Sequence, residues 1–277
     1  MSIPTPTSSL IEVGPLTIHY YALCILLGIG AAIIVSRSRY RRAGGNQDEI
    51  NQLAAYAIPA GIIGGRAYHV ITSPDAYFGA NGRPLDALKI WEGGMGIWGA
   101  IGLGCLVVWL VIRRGDYSLS FLAVADVLAP GLLIAQAIGR WGNWFNAELF
   151  GSPTSLPWGL SIPPSMRPDG YQNFATFHPT FLYESLWCLL AASLLLKSRA
   201  LKNWITLRPG QNFLAYISLY TLGRLWIEAL RIDSAHHLFG LRINLFVALV
   251  IFATSTTVLL RRRRDFDSAN PASAELD

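Results

Sequence analysis

Residues 119–151 read LSFLAVADVLAPGLLIAQAIGRWGNWFNAELFG. The apolar part, residues 119–138, has the length of about 20 residues that a helix needs to cross a bilayer. The part that follows places four polar side chains where such a helix would leave the membrane: Arg140, Asn143, Asn146 and Glu148. Polar groups at membrane depth are costly unless they pair with one another or with a ligand. The segment therefore predicts a functional site at a membrane surface.

The composition indicates a polytopic membrane protein. Of the 277 residues, 52% are hydrophobic and 14% are charged, whereas soluble domains carry about 25% charged residues. The first 16 residues contain no Lys or Arg, so they lack the basic region of a secretory signal, and we expect the N-terminus to be retained. A net charge of +5 would suggest a nucleic acid partner in a soluble protein. Here we attribute it mostly to basic residues that set the membrane topology, and we expect no nucleic acid partner.

The cysteines predict neither a disulfide nor a metal centre. Cys24, Cys105 and Cys188 each lie inside an apolar run, where a free cysteine behaves as a small hydrophobic residue. No Cys/His cluster has the spacing of metal ligands. We therefore expect no metal and no cofactor.

Seven apolar stretches predict membrane-spanning helices: 17–35, 53–71, 94–112, 119–138, 180–196, 212–230 and 241–260. We expect an all-α fold with about seven transmembrane helices in a single membrane domain, residues 1–264. The longest loops, 72–93 and 139–179, would form an outer-face region. The polar residues 265–277 would be a disordered cytoplasmic tail.

The basic residues predict the orientation. The loops after spans one, three and five and the segment after span seven carry four, two, four and four Lys or Arg, which is fourteen of the 22 in the chain. By the positive-inside rule these loops are cytoplasmic, so the N-terminus is outside and the C-terminus is inside.

The ionisable residues that topology does not explain lie almost entirely in the outer half of the predicted membrane region: Arg66, Glu92, Asp126, Arg140, Glu148, His178, Glu184, Arg224, Glu228 and Arg231. Arg224 and Glu228 are four residues apart and share one helix face with Tyr220. The arginines in this set indicate an anionic ligand, because Arg binds phosphate bidentately and keeps its proton when buried. A phospholipid headgroup is the natural anion there.

Each of these residues also has a structural interpretation. Arg224 and Glu228 can form an ion pair without a catalytic role, and Asp126 can cap or lock helices. Arg66, beside Gly64 and Gly65, can lock a helix or extend toward the membrane surface. The functional interpretation is favoured because polar motifs from several spans converge on one side of the membrane.

The motif Gly139-Arg140-x-Gly142-Asn143, followed by Asn146, Glu148 and Gly151, resembles the signature of the prolipoprotein diacylglyceryl transferases of bacterial inner membranes. Further matches extend from the first span almost to the last: Tyr21, Gly64–Arg66, Glu92–Gly96, Ala125-Asp126, His178–Glu184, Tyr220, Arg224 and Glu228. The resemblance covers nearly the whole chain.

The resemblance implies transfer of the diacylglyceryl group of phosphatidylglycerol to the lipobox cysteine thiol of a prolipoprotein signal peptide, with release of glycerol phosphate, at the cytoplasmic (inner) membrane. It implies essential catalytic roles for Arg140 and Arg224. We add Glu228 to the catalytic residues, because it can orient the arginines and is the leading candidate for a base. The residues expected to bind substrate or support the site are Tyr21, Arg66, Asn143, Asn146, Glu148, His178, Glu184 and Tyr220.

Two positions depart from the family pattern. Many members have His where this chain has Trp98, and Gln where it has Phe181. An indole cannot accept the thiol proton, so either Glu228, Glu184 or His178 accepts it, or no dedicated base is needed. A reaction without a dedicated base needs only a small free energy for deprotonation, because ionising a thiol of pKa about 8.5 costs about 2 kcal/mol near neutral pH.

Other functions remain possible from the sequence. A transporter or flippase for an anionic lipid would need polar groups toward the cytoplasmic side, and the stretches 189–196 and 247–260 carry no charge. A membrane anchor or assembly factor would perform no lipid chemistry. A lipid hydrolase is disfavoured because no Ser/His/Asp arrangement is evident.

If arginine electrostatics rather than a base at position 98 drives the reaction, Trp98→Phe keeps substantial activity. Peptide-dependent release of glycerol phosphate from phosphatidylglycerol is the measurement. A fall to background in a folded Trp98→Phe protein would contradict the electrostatic mechanism.

Overall fold

The computed structural model describes residues 2–14, 16–79, 82–197 and 209–269. These residues are mostly helical, and seven of the eight α-helices among them have 18 residues or more. The helices are α1 (Tyr20–Arg42), α2 (Asp48–Thr72), the one-turn α3 (Asp75–Phe78), α4 (Ile97–Arg114), α5 (Phe121–Phe145), α6 (Thr180–Lys197), α7 (Gln211–Leu230) and α8 (Ile243–Ala269).

Among the described residues, five helices are long and apolar enough to cross a membrane: α1, α4, α5, α6 and the part Ile243–Arg262 of α8. This confirms a polytopic membrane protein. Helices α2 and α7 coincide with the two other predicted spans but contain more polar residues. Helix α2 begins with Asp48 and Glu49, and α7 carries Arg224 and Glu228.

Several helix boundaries differ from the prediction. Helix α1 begins at Tyr20, because Leu10–Val13 and Leu16–His19 pair as antiparallel strands. Helix α5 continues to Phe145, seven residues beyond the predicted end at 138. Helix α8 continues to Ala269, so residues 265–269 of the expected disordered tail are helical, since no Gly or Pro interrupts the sequence there. Residues 270–277, and residues 198–208 of the predicted fifth-to-sixth loop, lie outside the described residues.

The all-α expectation missed several short strands, which are too short to show an alternating pattern. They are β1 (Ile3–Pro4), β2 (Leu10–Val13), β3 (Leu16–His19), β4 (Leu160–Ser161), β5 (Thr176–Phe177), β6 (His237–Leu238) and β7 (Leu241–Arg242). Strand β1 is parallel to β4, and β5 is antiparallel to β4. The pairs β2–β3 and β6–β7 are antiparallel hairpins. The predicted outer loop 139–179 therefore contains ordered structure.

The chain forms two compact units, one of residues 37–124 and one of residues 1–36 with 125–277. In the smaller unit α2 and α4 approach closely through glycines. A Cβ on Gly99 would lie 2.1 Å from the Gly64 carbonyl oxygen. Small residues at such positions let membrane helices pack backbone to backbone.

In the larger unit, glycines likewise allow α1 to pack closely against α5. A Cβ on Gly28 would lie 2.9 Å from the Ala135 carbonyl oxygen, and one on Gly131 would lie 2.9 Å from the Ser36 hydroxyl. Small side chains also fill the core between α5 and α6, where Ala129, Ala137 and Ala191 are at most 2% exposed. These contacts fix the axial positions of the helices that carry the polar motifs.

Asp126 on α5 caps the N-terminus of α7. Its Oδ2 accepts a hydrogen bond from the Gly210 N–H at 2.6 Å, and its Oδ1 accepts one from the Phe213 N–H at 2.8 Å. A carboxylate there satisfies backbone donors that have no partner inside the helix and interacts favourably with the helix dipole. This confirms the capping interpretation of Asp126.

Asp126→Ala should lower the free energy of unfolding by about 1–2 kcal/mol, the usual cost of losing a cap. The measurement is the melting temperature in detergent, with the exposed Asp116→Ala as the matched control. An Asp126→Ala protein as stable as the control would contradict the capping role.

Candidate active site

Arg140 and Asn143 lie on the last two turns of α5, three residues apart on one helix face. The Arg140 Nη1 donates to Asn143 Oδ1 at 3.4 Å. Gly142 faces α1, where a Cβ would lie 2.6 Å from Tyr21 Cδ2. Tyr21, predicted from the sequence as a site residue, therefore packs against the motif. The motif begins on a helix and not, as predicted, in a loop.

The segment after α5 folds back onto the end of that helix. Glu148 Oε1 accepts hydrogen bonds from Asn143 Nδ2 at 2.8 Å and from Asn146 Nδ2 at 3.2 Å. Ala147 and Leu149 have φ of 50° and 59°, a region that non-glycine residues adopt rarely. Backbone strain of this kind persists where surrounding contacts enforce it, often at functional sites. The four polar side chains of the motif are thus joined in one network.

Gly151 connects the motif to two other helices. Its N–H donates to the His178 carbonyl oxygen at 2.9 Å, just before α6, and the next N–H, of Ser152, donates to the Leu230 carbonyl oxygen at 2.7 Å, at the end of α7. A Cβ on Gly151 would lie 2.8 Å from the His178 Cβ, so a side chain does not fit. This junction holds the end of α5 near the start of α6 and the end of α7.

Alternating arginines and carboxylates form one connected series of ion pairs, which we call the arginine–carboxylate chain. In order, its members are Arg140, Glu184, Arg224, Glu228, Arg242, Asp233 and Arg231. Glu184 lies between two arginines: its Oε2 contacts Arg140 Nε, and its Oε1 accepts a hydrogen bond from Arg224 Nη1 at 2.5 Å. Residues from α5, α6 and α7 therefore meet at one buried carboxylate.

Glu228 is completely buried and its two oxygens have different partners. Oε2 accepts a hydrogen bond from Arg224 Nη2 and lies 3.8 Å from Arg231 Nη1. Oε1 accepts hydrogen bonds from Arg242 Nε and from Asn244 Nδ2, both at 2.9 Å. The predicted pair of Arg224 and Glu228 is thus part of a larger set of contacts.

Asp233 closes the far end of the arginine–carboxylate chain. It accepts two hydrogen bonds from Arg231, at 2.7 and 2.9 Å, and one from Arg242 at 3.0 Å. Burial opposes ionisation of Asp233, but the hydrogen bonds from the two arginines outweigh it and lower the pKa of this carboxyl group. Asp233 is therefore held as a carboxylate.

Sequence reasoning missed three members of this arrangement: Asp233, Arg242 and Asn244. It recognised Arg231 as unexplained by topology but assigned it no role. Arg242 lies fourteen residues after Glu228 and is separated from α7 by the β6–β7 hairpin. No helical spacing links the two residues, so the only sequence signal is a charge directly before an apolar span.

A small cavity lies between α6 and α7 beside the arginine–carboxylate chain. Glu184, Cys188, Tyr220 and Arg224 are among the residues that line it. Tyr220 also interacts with the Arg140 side chain. The structure thus places Tyr220, predicted to line the site, next to both arginines.

His178 lies just before α6, and its side-chain partner is Tyr183. The His178 Nδ1 is 3.1 Å from the Tyr183 hydroxyl, which also accepts a hydrogen bond from Trp158 Nε1 at 3.1 Å. Burial lowers the pKa of His178, so the neutral imidazole is favoured at neutral pH.

Arg66 belongs to the other compact unit, where it holds the loop after α2. Its Nε donates to the Ala87 carbonyl at 2.8 Å, and its Nη1 donates to the carbonyls of Gly93 at 2.6 Å and Gly94 at 3.0 Å. Its Nη2 donates to the Asp86 carbonyl. Four of the five N–H donors of Arg66 are therefore engaged by backbone, which favours the locking interpretation. A role in substrate binding stays a prediction.

Trp98 lies on the first turn of α4 in the same unit as Arg66, with 56% of its surface exposed. The side chain of Glu92, one of the polar residues that topology left unexplained, lies outside the described part of the chain.

Comparison with known proteins identifies the family. The family model described as prolipoprotein diacylglyceryl transferase matches residues 8–261. The chain is similar to the phosphatidylglycerol–prolipoprotein diacylglyceryl transferase of Cutibacterium acnes, with 52% identity over 274 residues that cover 99% of this chain and 91% of the relative. It is 48% identical to transferase 2 of Streptomyces coelicolor over 258 residues, which cover 93% of this chain and 80% of the relative. It is 46% identical to the transferase of Bifidobacterium adolescentis over 270 residues, which cover 93% of this chain and 79% of the relative. The chain therefore belongs to the prolipoprotein diacylglyceryl transferase family.

Proposed function

We propose that this protein transfers the diacylglyceryl group of phosphatidylglycerol to the thiol of the lipobox cysteine of prolipoproteins and releases glycerol phosphate. This is the first step of bacterial lipoprotein maturation. The observation that carries the proposal is that Arg140 and Arg224 meet at one buried carboxylate, Glu184, beside the cavity between α6 and α7. Family membership favours this activity over transport of an anionic lipid.

The charge of the arginine–carboxylate chain suits a phosphodiester. The arginine–carboxylate chain contains four arginines and three carboxylates, so one positive charge is in excess when all seven groups are ionised. A phosphatidylglycerol headgroup carries one negative charge and would neutralise it. In surroundings of low dielectric an unbalanced charge is costly, which favours capture of an anion.

The reaction increases the charge that the arginines must stabilise. The thiol gives its proton to solvent, the thiolate forms an S–C bond with the glyceryl carbon next to the phosphate ester, and the C–O bond breaks with its electron pair on oxygen. The phosphodiester monoanion becomes a phosphomonoester, which carries a second negative charge. Arg140 and Arg224 stabilise this developing charge, and such preorganised contacts contribute most when they strengthen in the transition state.

The contacts of Glu228 support an orienting role over that of a base. Both of its oxygens accept charged or amide hydrogen bonds, from Arg224, Arg242 and Asn244. To accept the thiol proton, Glu228 would have to give up at least one of these bonds. We therefore assign Glu228 to holding Arg224 and propose that the reaction needs no dedicated base.

The remaining site residues have supporting roles in the proposal. Asn143 and Asn146 bind the headgroup hydroxyls and Glu148 orients their amides, as their shared hydrogen bonds suggest. Tyr21 and Tyr220 line the lipid site. His178 and Glu184 are further supporting residues, and a role of Arg66 in substrate binding stays a prediction.

We propose the membrane arrangement on the same basis. Helices α2 and α7 join the five strongly apolar helices to make seven spans in one membrane domain, with the N-terminus outside and the C-terminus in the cytoplasm. The distribution of basic residues supports this orientation. The polar motifs would then lie at the outer leaflet of the bacterial cytoplasmic membrane.

Arg140→Gln should reduce peptide-dependent release of glycerol phosphate at least about 100-fold, the usual cost of removing one donor that stabilises a developing anion. Arg140→Lys should retain more activity than Arg140→Gln, because it keeps the charge but loses the planar fork. The assay uses detergent-solubilised protein, phosphatidylglycerol and a lipobox peptide.

Arg167→Gln is the control, because Arg167 donates to the backbone carbonyls of Ile162 and Gln172 and lies outside the arginine–carboxylate chain. It should leave the rate within about threefold of the wild type. A folded wild type without peptide-dependent release would refute the transferase proposal. A fully active Arg140→Gln protein would remove Arg140 from the mechanism.

A further inference from the structure

We propose that Arg242 and Asn244 are positioning residues, which hold Arg224 in its reactive orientation by binding the second oxygen of Glu228. The inference rests on the proposed function, because it concerns the arginine that would stabilise the leaving group. Neither residue is among those that line the cavity between α6 and α7. They act through Glu228.

The division of partners on Glu228 supports this inference. Oε2 accepts from Arg224, whereas Oε1 accepts from Arg242 Nε and Asn244 Nδ2. Two donors on one oxygen restrict rotation of the carboxylate, so the direction of Oε2 is also restricted. Arg224 is then held from two sides, by Glu228 Oε2 and by Glu184 Oε1.

Arg242 is well suited to this task because it is itself held by backbone. Its Nη1 donates to the Asp233 carbonyl oxygen at 2.6 Å and to the Arg231 carbonyl oxygen at 3.4 Å, and its Nη2 donates to Asp233 Oδ2 at 3.0 Å. Only 7% of Arg242 is exposed. The planar guanidinium makes these contacts at once, in a geometry that a lysine ammonium cannot reproduce.

Loss of Arg242 or Asn244 should affect the chemical step more than lipid binding. Arg140 keeps its contact with Glu184, so one arginine remains to hold the phosphate in the ground state. Arg224 loses its alignment, and small displacements of a catalytic group cost a large part of the rate. An interaction that matters mainly in the transition state changes kcat and leaves KM nearly constant.

Arg242→Gln and Asn244→Ala are compared with the wild type in the glycerol phosphate assay at varied phosphatidylglycerol concentration. We expect kcat to fall at least about tenfold for Arg242→Gln and about threefold to tenfold for Asn244→Ala. KM for the lipid should stay within about threefold for Asn244→Ala, because this substitution leaves the charge of the arginine–carboxylate chain unchanged. Arg242→Lys should recover part of the loss. Arg167→Gln is again the control for removal of an arginine bonded to backbone.

A double-mutant cycle separates positioning from a general structural role. If Arg242 and Asn244 act through Glu228, each substitution should cost little further activity in a Glu228→Ala background. A structural role in the β6–β7 hairpin would cost the same in both backgrounds. Melting temperatures show that each variant is folded. Asn244→Ala removes one hydrogen bond from an exposed residue, so it decides the question if Arg242→Gln is unstable.

Three outcomes would overturn the inference while the transferase proposal stands. The first is unchanged kcat in a folded Asn244→Ala or Arg242→Gln protein. The second is a loss confined to KM, and the third is full additivity with Glu228→Ala. An inactive wild type, or Arg140→Gln with full activity, would instead count against the proposed function, so the two failures are distinguishable.

Discussion

The site depends on one constraint: an arginine in apolar surroundings must be paired, yet an arginine that binds a substrate anion must keep some positive charge available. The arginine–carboxylate chain meets both requirements. Each carboxylate is shared by at least two arginines, so every guanidinium has a partner. Because the arginines outnumber the carboxylates by one, the chain still attracts an anion. Removing one partner from such a buried set leaves an uncompensated charge and is strongly destabilising.

This constraint requires that helix ends far apart in sequence be held together, and the small residues of the larger unit make that possible. Gly151 leaves no space for a side chain between the start of α6 and the end of α7. Gly142 allows α1 to pack its Tyr21 ring directly against α5. A larger residue at Gly151 would separate the elements that carry Arg140, Glu184 and Arg224, and a larger residue at Gly142 would displace Tyr21 from α5. The glycines of the motif therefore act on the geometry of the site without touching the reacting groups.

Arg66 and Arg140 show why a buried arginine is not by itself a catalytic residue. Arg66 donates four of its five N–H groups to the carbonyls of one loop. These acceptors are neutral backbone groups. Arg140 instead shares Glu184 with a second arginine, and Glu184 lines a cavity. The sequence presents both as arginines near glycines, with Arg66 inside the second predicted span and Arg140 directly after the fourth. Only their partners distinguish a residue that orders a loop from one suited to bind phosphate.

The sequence alone determined the features that depend on local order. Long apolar runs predict the helices, because a bilayer requires a minimum length of apolar chain, and the spacing of Arg224 and Glu228 places them on one helix face. The motif from Gly139 to Gly151 identifies the family. Tertiary structure decided the features that depend on contacts between distant segments. These are the continuation of α5 through Asn143, the capping of α7 by Asp126, and the hydrogen bonds from Arg242 and Asn244 to Glu228. The partners in these contacts are separated by a hairpin or by a whole helix, so their spacing in the sequence follows no helical or strand repeat. Only the folded structure therefore shows which charged residues meet.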